Sequence, residues 1–269
     1  VISTARARRV IRHTARSLRG RDLSLWTAGL TFFACLAAVP VLLLALRGAA
    51  WLTSDQFTAD GVAGLVDALP DEHDGREGLR ALVDAALGSP WWLVVVALLP
   101  ATFYGEGLRR SMRQIEGASP GRLAGWKGRV GFLPLLALSP VLVVLLLTTA
   151  PAVVPLYTGG GLDPVWGVIA TFHVDWLVVS ACLSVVYVVH SPAALPVRTA
   201  VACGFATGAV VSGFLHGFLL FLSIPIDWAV PFGGIQTAGE GVALALWMYL
   251  LHAIVLVGYR VALSVHATE

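Results

Sequence analysis

Long apolar runs alternate along the chain with short charged stretches. A helix needs ~20 apolar residues to cross the ~30 Å hydrocarbon core of a bilayer. Six runs reach that length, at about 24–52, 89–108, 130–156, 164–190, 199–224 and 240–264. The fourth opens on Asp163-Pro164, the pairing expected of a helix cap with proline at the first helical position. The third contains Pro134, Pro140, Pro151 and Pro155. Proline frees a carbonyl that lipid cannot satisfy, so this run is expected to lie inside the bundle. The fold class predicted is all-α, a polytopic membrane bundle of six helices.

The fifth run holds no Asp, Glu, Lys or Arg between Thr199 and Ile224. Every fourth residue is small: Ala200, Gly204, Gly208 and Ser212, with His216 one step further. Positions four apart form one ridge on a helix. In lipid, a ridge of small residues lets neighbouring helices approach closely, so it reads as a helix-packing surface. A second copy of the chain could use the same ridge in a homo-oligomer. His216 reads differently, because an ionisable group inside a membrane is a functional candidate by default.

Between the runs, charge is distributed unevenly. Residues 1–22 carry seven arginines and one acid, Asp22, and are expected to form a cytoplasmic basic amphipathic helix lying on anionic headgroups. A nucleic-acid arm is the rival reading, but a basic segment abutting a span is more often an orientation signal. Residues 23–269 would be the six-helix transmembrane domain. The stretch 109–129 holds six bases, whereas 53–88 has Arg76 and Arg80 against eight acids. The bias places both termini on the cytoplasmic side of a bacterial plasma membrane. Residues 53–88 read as two short amphipathic helices split by Pro70 and an acidic turn at Asp71, Glu72 and Asp74. They would form an outer cap, or a gate over a cavity.

Composition agrees with the pattern: 57% hydrophobic, 13% charged, and a mean hydropathy of +0.81. Such a chain lacks the charge to cover a soluble domain's surface. Cys35, Cys182 and Cys203 fall in apolar runs without metal-ligand spacing, so they are expected to be buried packing residues. No metal, cofactor or disulfide is expected, nor a cleavable signal. No GxxxxGK[ST] or HExxH occurs, which argues against an ATPase and against the metalloproteases that the second motif marks.

Three stretches carry a family resemblance. They are TAGLTFFACLAAVP (27–40), YGEGLRRSMRQIEG (104–117) and GGIQTAGEGVALALWMYLLHAIVLVGYR (233–260). Together they resemble the YihY/BrkB-like bacterial inner-membrane proteins, formerly mislabelled ribonuclease BN. The chain departs from that pattern at Phe32, where the family often has Tyr, and at Gly258-Tyr259-Arg260, where it usually reads Gly-Ala-Glu. The resemblance implies six transmembrane helices and a part in exporting an envelope lipid or solute.

Two charge clusters are the candidate chemistry. The inner one is Glu106, Arg109, Arg110 and Arg113. Glu106 and Arg110 are spaced to pair, and Arg109 and Arg113 share a face suited to lipid phosphates. The bland account is a positive-inside anchor. The outer cluster is Arg47, His173, Asp175, His216, Glu240 and His252; helical rise places five of the six between the outer interface and the midplane, with His252 the deepest. These six would line a pathway, with His216, His252 and Asp175 as proton or headgroup partners. The expected function is a transporter or flippase-like exporter of an envelope component, with no enzymatic step. A non-enzymatic scaffold for envelope assembly is the alternative, an intramembrane lipid enzyme a third reading, and ribonuclease the weakest.

Overall fold

The structure, a computed structural model, describes residues 4–67, 75–118, 121–222 and 230–268. In chain order they form α1 (Thr4–Leu18), α2 (Leu23–Leu52), α3 (Asp55–Asp67), α4 (Gly75–Gly88), α5 (Trp91–Ala101) and α6 (Phe103–Glu116). There follow α7 (Ala124–Thr158), α8 (Asp163–His190), α9 (Val197–Leu222), a 3-10 turn at Val230–Phe232, and α10 (Gln236–His266). Among the described residues, six helical stretches are long and apolar enough to cross a membrane. They are α2, α5 with α6, α7, α8, α9 and α10. The chain is therefore an all-α multi-pass membrane protein. Pro70, Asp71, Glu72, Asp74 and the last residues of the fifth expected span lie outside the described residues.

The second span runs further than its hydropathy indicates. Thr102 donates its backbone N–H to Leu98 O (3.1 Å) and its hydroxyl to Leu99 O (2.8 Å), so the chain stays wound between α5 and α6. Arg109, Arg110 and Arg113 accordingly sit on helix α6, not in a loop starting at 109.

The chain divides into two compact units. One comprises Val1–Cys35, Gly105–Gly128 and Trp176–Glu269. Here α9 and α10 pack along each other, and α1 lies on α10 through buried Val10 and Thr14. The small ridge of α9 is set against α8 of the same chain. A Cβ on Gly204 would fall 2.6 Å from Ser184 Oγ, and one on Gly208 would fall 3.1 Å from Ser180 Cα. Trp176 closes the same seam by donating its indole N–H to Phe205 O at 2.9 Å. The start of α7 approaches α6 as closely, with a Cβ on Gly128 falling 2.8 Å from Glu106 Cα.

The other unit comprises Leu36–Tyr104 and Arg129–Asp175. Its core joins Leu46 of α2, Val62 and Val66 of α3, Val83 and Ala86 of α4, and Leu147 of α7. The α3–α4 pair thus buries its apolar faces on α2 and α7, as a cap fixed to helix ends. Gly48 lets Pro140 of α7 touch α2, since a Cβ there would lie 2.9 Å from Pro140 Cβ.

Two expectations fail. The proline-rich α7 is not the shielded span: 22% of its most apolar window is buried, against 39% for α9. Part of the proline defect is repaired locally. Pro140 cannot donate to Leu136 O, and the neighbouring Ser139 hydroxyl does so instead at 2.9 Å. Cys35 is exposed and not a buried packing residue, while Cys182 is half-buried and Cys203 buried.

The α8–α9 seam yields a direct expectation. Gly208→Leu forces a side chain into Ser180 and lowers stability by roughly 1–3 kcal/mol, the usual scale of overpacking. Val201→Leu, at an exposed position of the same helix, leaves it unchanged. Thermal unfolding in detergent reads the difference, and equal midpoints would show that the seam tolerates separation.

Candidate functional site

The outer candidates fall in both units. Arg47 points into the α2–α3–α4 corner, with 21% of its side chain exposed. Its Nη1 donates to Leu87 O in the last turn of α4 (2.9 Å) and lies 3.4 Å from Asp55 Oδ1 at the start of α3. The guanidinium also stands 5.6 Å from the Trp51 ring centroid. This is a clamp: one cation closes an open helix C-terminus and meets a carboxylate at a helix N-terminus, both favourable by charge. On α8, His173 is exposed, its Nδ1 2.7 Å from Ile169 O of its own helix, and Asp175 is half-buried.

In the unit containing α9 and α10, His216 Nδ1 lies 2.9 Å from Ser212 O on its own helix. Glu240 accepts from Gln236 Nε2 at 2.8 Å, one turn back on α10. His252 is deeper: it is buried, and its Nδ1 is 3.1 Å from Thr31 Oγ1 of α2. The same hydroxyl lies 2.9 Å from Thr27 O.

The inner candidates separate by role. Buried Glu106 holds Arg110 through Nε at 2.8 Å and Nη2 at 2.7 Å, the pairing their spacing predicts. Arg110 remains exposed. Arg109 turns inward and donates Nη1 to Val189 O (3.3 Å) and His190 O (3.4 Å), the last carbonyls of α8. Arg113 lies near Gly121, where a Cβ would fall 3.4 Å from its Nη2. Of the four, Glu106 and Arg109 face protein, Arg110 is exposed and Arg113 is half-buried.

Sequence reasoning missed a polar network at this same arginine-rich end. Tyr259 of α10 is fully buried and donates its hydroxyl to Glu116 Oε1 in a short hydrogen bond. Its oxygen is also 2.7 Å from Ser191 Oγ. Glu116 Oε1 additionally accepts Ala193 N–H at 3.2 Å. The Tyr187 ring tilts against Tyr259 at 5.5 Å, and its hydroxyl donates to Val255 O at 2.9 Å. Gly258 permits this, because a Cβ there would stand 2.8 Å from the Tyr187 hydroxyl. Arg21 reaches Gln114 O and Ile115 O, both at 2.9 Å, at the end of α6. On α1, Thr14 and Ser17 bond Ser264 (2.9 Å) and Arg260 (2.5 Å) of α10. The lone acid ending the basic run RRSMRQIE was the available signal for this network.

Apolar spans, interfacial cations and buried polar contacts between helices define a multi-pass α-helical membrane protein. The chain belongs to the virulence factor BrkB family, whose model matches residues 14–269. Neither the curated proteins nor the solved structures searched give a match.

Two substitutions test the site's chemistry. Arg47→Met leaves the α4 carbonyl and Asp55 without their cation, so about 1.5–3 kcal/mol is lost locally. Limited proteolysis within α3–α4 should accelerate at least tenfold, and an unchanged rate would show the clamp to be idle. Tyr259→Phe and Glu116→Gln should couple by about 0.5–3 kcal/mol in a double-mutant cycle of unfolding, since the two groups share one hydrogen bond.

Proposed function

We propose that this chain is a passive or ion-coupled transporter, flippase-like in action, that exports an envelope lipid or solute across the bacterial plasma membrane. It needs no ATP of its own and performs no enzymatic step. Both termini lie on the cytoplasmic side, because the arginines gather at the end where α1, α6 and the last turn of α10 meet.

The observation that carries the reading is buried His252 against Thr31. By helical rise, His252 stands more than ~20 Å from either end of α10, near the bilayer midplane. Apolar packing at that depth requires no imidazole, and an ionisable group there is expensive unless it works. Imidazole is also a side chain that can both bind and release a proton. The Thr31 hydroxyl gives its own proton to Thr27 O and so can accept from the ring's Nδ1–H. His252 would therefore couple a proton to movement of cargo, while exposed Arg110 and the arginines of α1 hold anionic headgroups at the cytoplasmic surface.

The scaffold alternative draws on α1. Its buried face is used on α10, while Arg8, Arg9, Arg12, Arg16 and Arg19 remain exposed as a surface for an anionic partner.

Reconstitution into liposomes separates the two. The transporter reading expects accelerated scrambling of a fluorescent lipid, or solute flux driven by a pH gradient. His252→Leu should lower that rate at least tenfold with normal insertion. Wild-type protein that binds vesicles but moves nothing would favour the scaffold. Reporter fusions supply an independent check. Those after residue 22, within 117–123 and at the C-terminus should read cytoplasm, and those in α3 or α4 the outside. A reversed signal at 117–123 would overturn the orientation.

A further inference from the structure

Between α9 and α10 runs an open groove of about 450 Å³, lined by Ala206, Thr207 and Val210 of α9 and by Ala253, Val257 and Val261 of α10, among others. Small residues on both helices make the trough, and β-branched ones form its walls. Thr207 supplies a hydroxyl among these residues, but that oxygen is 3.3 Å from the Tyr187 hydroxyl and is turned into the protein. The trough thus offers water no set of polar partners, and a water site needs two to four.

Its position names the occupant. By helical rise the groove begins ~9 Å along α9 from Val197 and extends a further ~10 Å toward the middle of the helix. That is acyl-chain depth in the leaflet at the arginine-rich end. The rim at that end is cationic. Arg198 is exposed in the first turn of α9, and Arg12, Arg16 and Arg19 are exposed on or just after α1, which lies on α10. The nearby acid Glu116 is already engaged by Tyr259 and Ala193. An apolar trough below a cationic rim is complementary to one kind of molecule, an anionic amphiphile with an alkyl chain.

We infer that the α9–α10 groove seats an acyl chain of an anionic glycerophospholipid, with the phosphate held among the arginines at its rim. The seating is a property of the groove itself. Its use as the loading site rests on the transport reading above, and narrows the cargo from lipid or solute to lipid.

Photocrosslinking tests the seating without any transport measurement. The full-length chain is reconstituted in vesicles doped with phosphatidylglycerol or phosphatidylcholine carrying a diazirine midway along one acyl chain. After irradiation, labelled peptides are mapped by mass spectrometry. Label should concentrate on residues 203–210 and 253–261, with phosphatidylglycerol exceeding phosphatidylcholine at least threefold. Ala206→Trp, which fills the trough from an exposed position, should lower that label at least fivefold. Leu177→Trp, at an exposed site on α8, should leave it intact. Arg198→Gln should erase the headgroup preference while chain labelling persists. Label spread evenly over the exposed helices would overturn the inference. So would groove label that Ala206→Trp leaves unchanged, or crosslinks joining two chains through the groove in place of lipid. Groove label in a protein that scrambles no lipid would leave the seating standing and remove the transport reading. Scrambling undiminished by Ala206→Trp, despite lost label, would remove only the loading role.

Discussion

A helix that ends in or near a bilayer leaves its last carbonyls without partners, and the surroundings supply little water to replace them. In this protein the missing donors at three helix ends are arginines from elsewhere in the chain. Arg47 closes the end of α4, Arg109 the end of α8, and Arg21 the end of α6. Guanidinium suits the task because it is always charged, has five N–H donors and can span two carbonyls at once. Arg109 and Arg21 each do so. The cation also meets the negative end of the helix dipole, so hydrogen bonding and electrostatics act in the same direction. The chain has few charges, and these three act on its own backbone.

With helix ends closed in this way, the helix sides can approach without polar side chains at every contact. Lipid gives little hydrophobic reward for burying one apolar helix on another, so close packing must supply attraction. The seams bear this out in geometry: Gly204 and Gly208 lie against serines of α8, Gly107 against Phe33, and Gly128 against the α6 backbone. Two sets of polar groups between helices satisfy one another. Tyr187, Tyr259, Ser191 and Glu116 form such a set, and Thr14, Ser17 and Ser264 form another between α1 and α10.

The spans were legible because membrane thickness imposes a length that hydropathy reveals directly, but their ends were not: the second runs on to Glu116 and the third begins at Ala124. The Glu106–Arg110 pair was legible because helical spacing is local. The caps were not. Arg109 bonds carbonyls 80 and 81 residues away, and a backbone acceptor has no residue type to recognise. Tyr259 and Glu116 are 143 residues apart, so their pairing depends on packing that no period in the sequence encodes. The proline argument for α7 failed for a related reason. It assumed that the freed carbonyl required a neighbouring helix, when a serine one residue before the proline could reach it.

These findings change which polar residues remain open to function. Arg47 and Arg109 are accounted for by the helix ends they close, and Glu106 by Arg110. A charge with a complete structural explanation is weak evidence for a pathway, however deep it lies. His252 is different because it meets a hydroxyl of another helix at a depth where an aliphatic residue would pack as well. The α9–α10 groove is different for the converse reason: its lining is apolar where packing alone would have filled the space. An ionisable group that packing does not need and a trough that packing does not fill lie on the same helix, α10. His252 and Ala253 are consecutive in sequence, so both features fall within one turn of that helix.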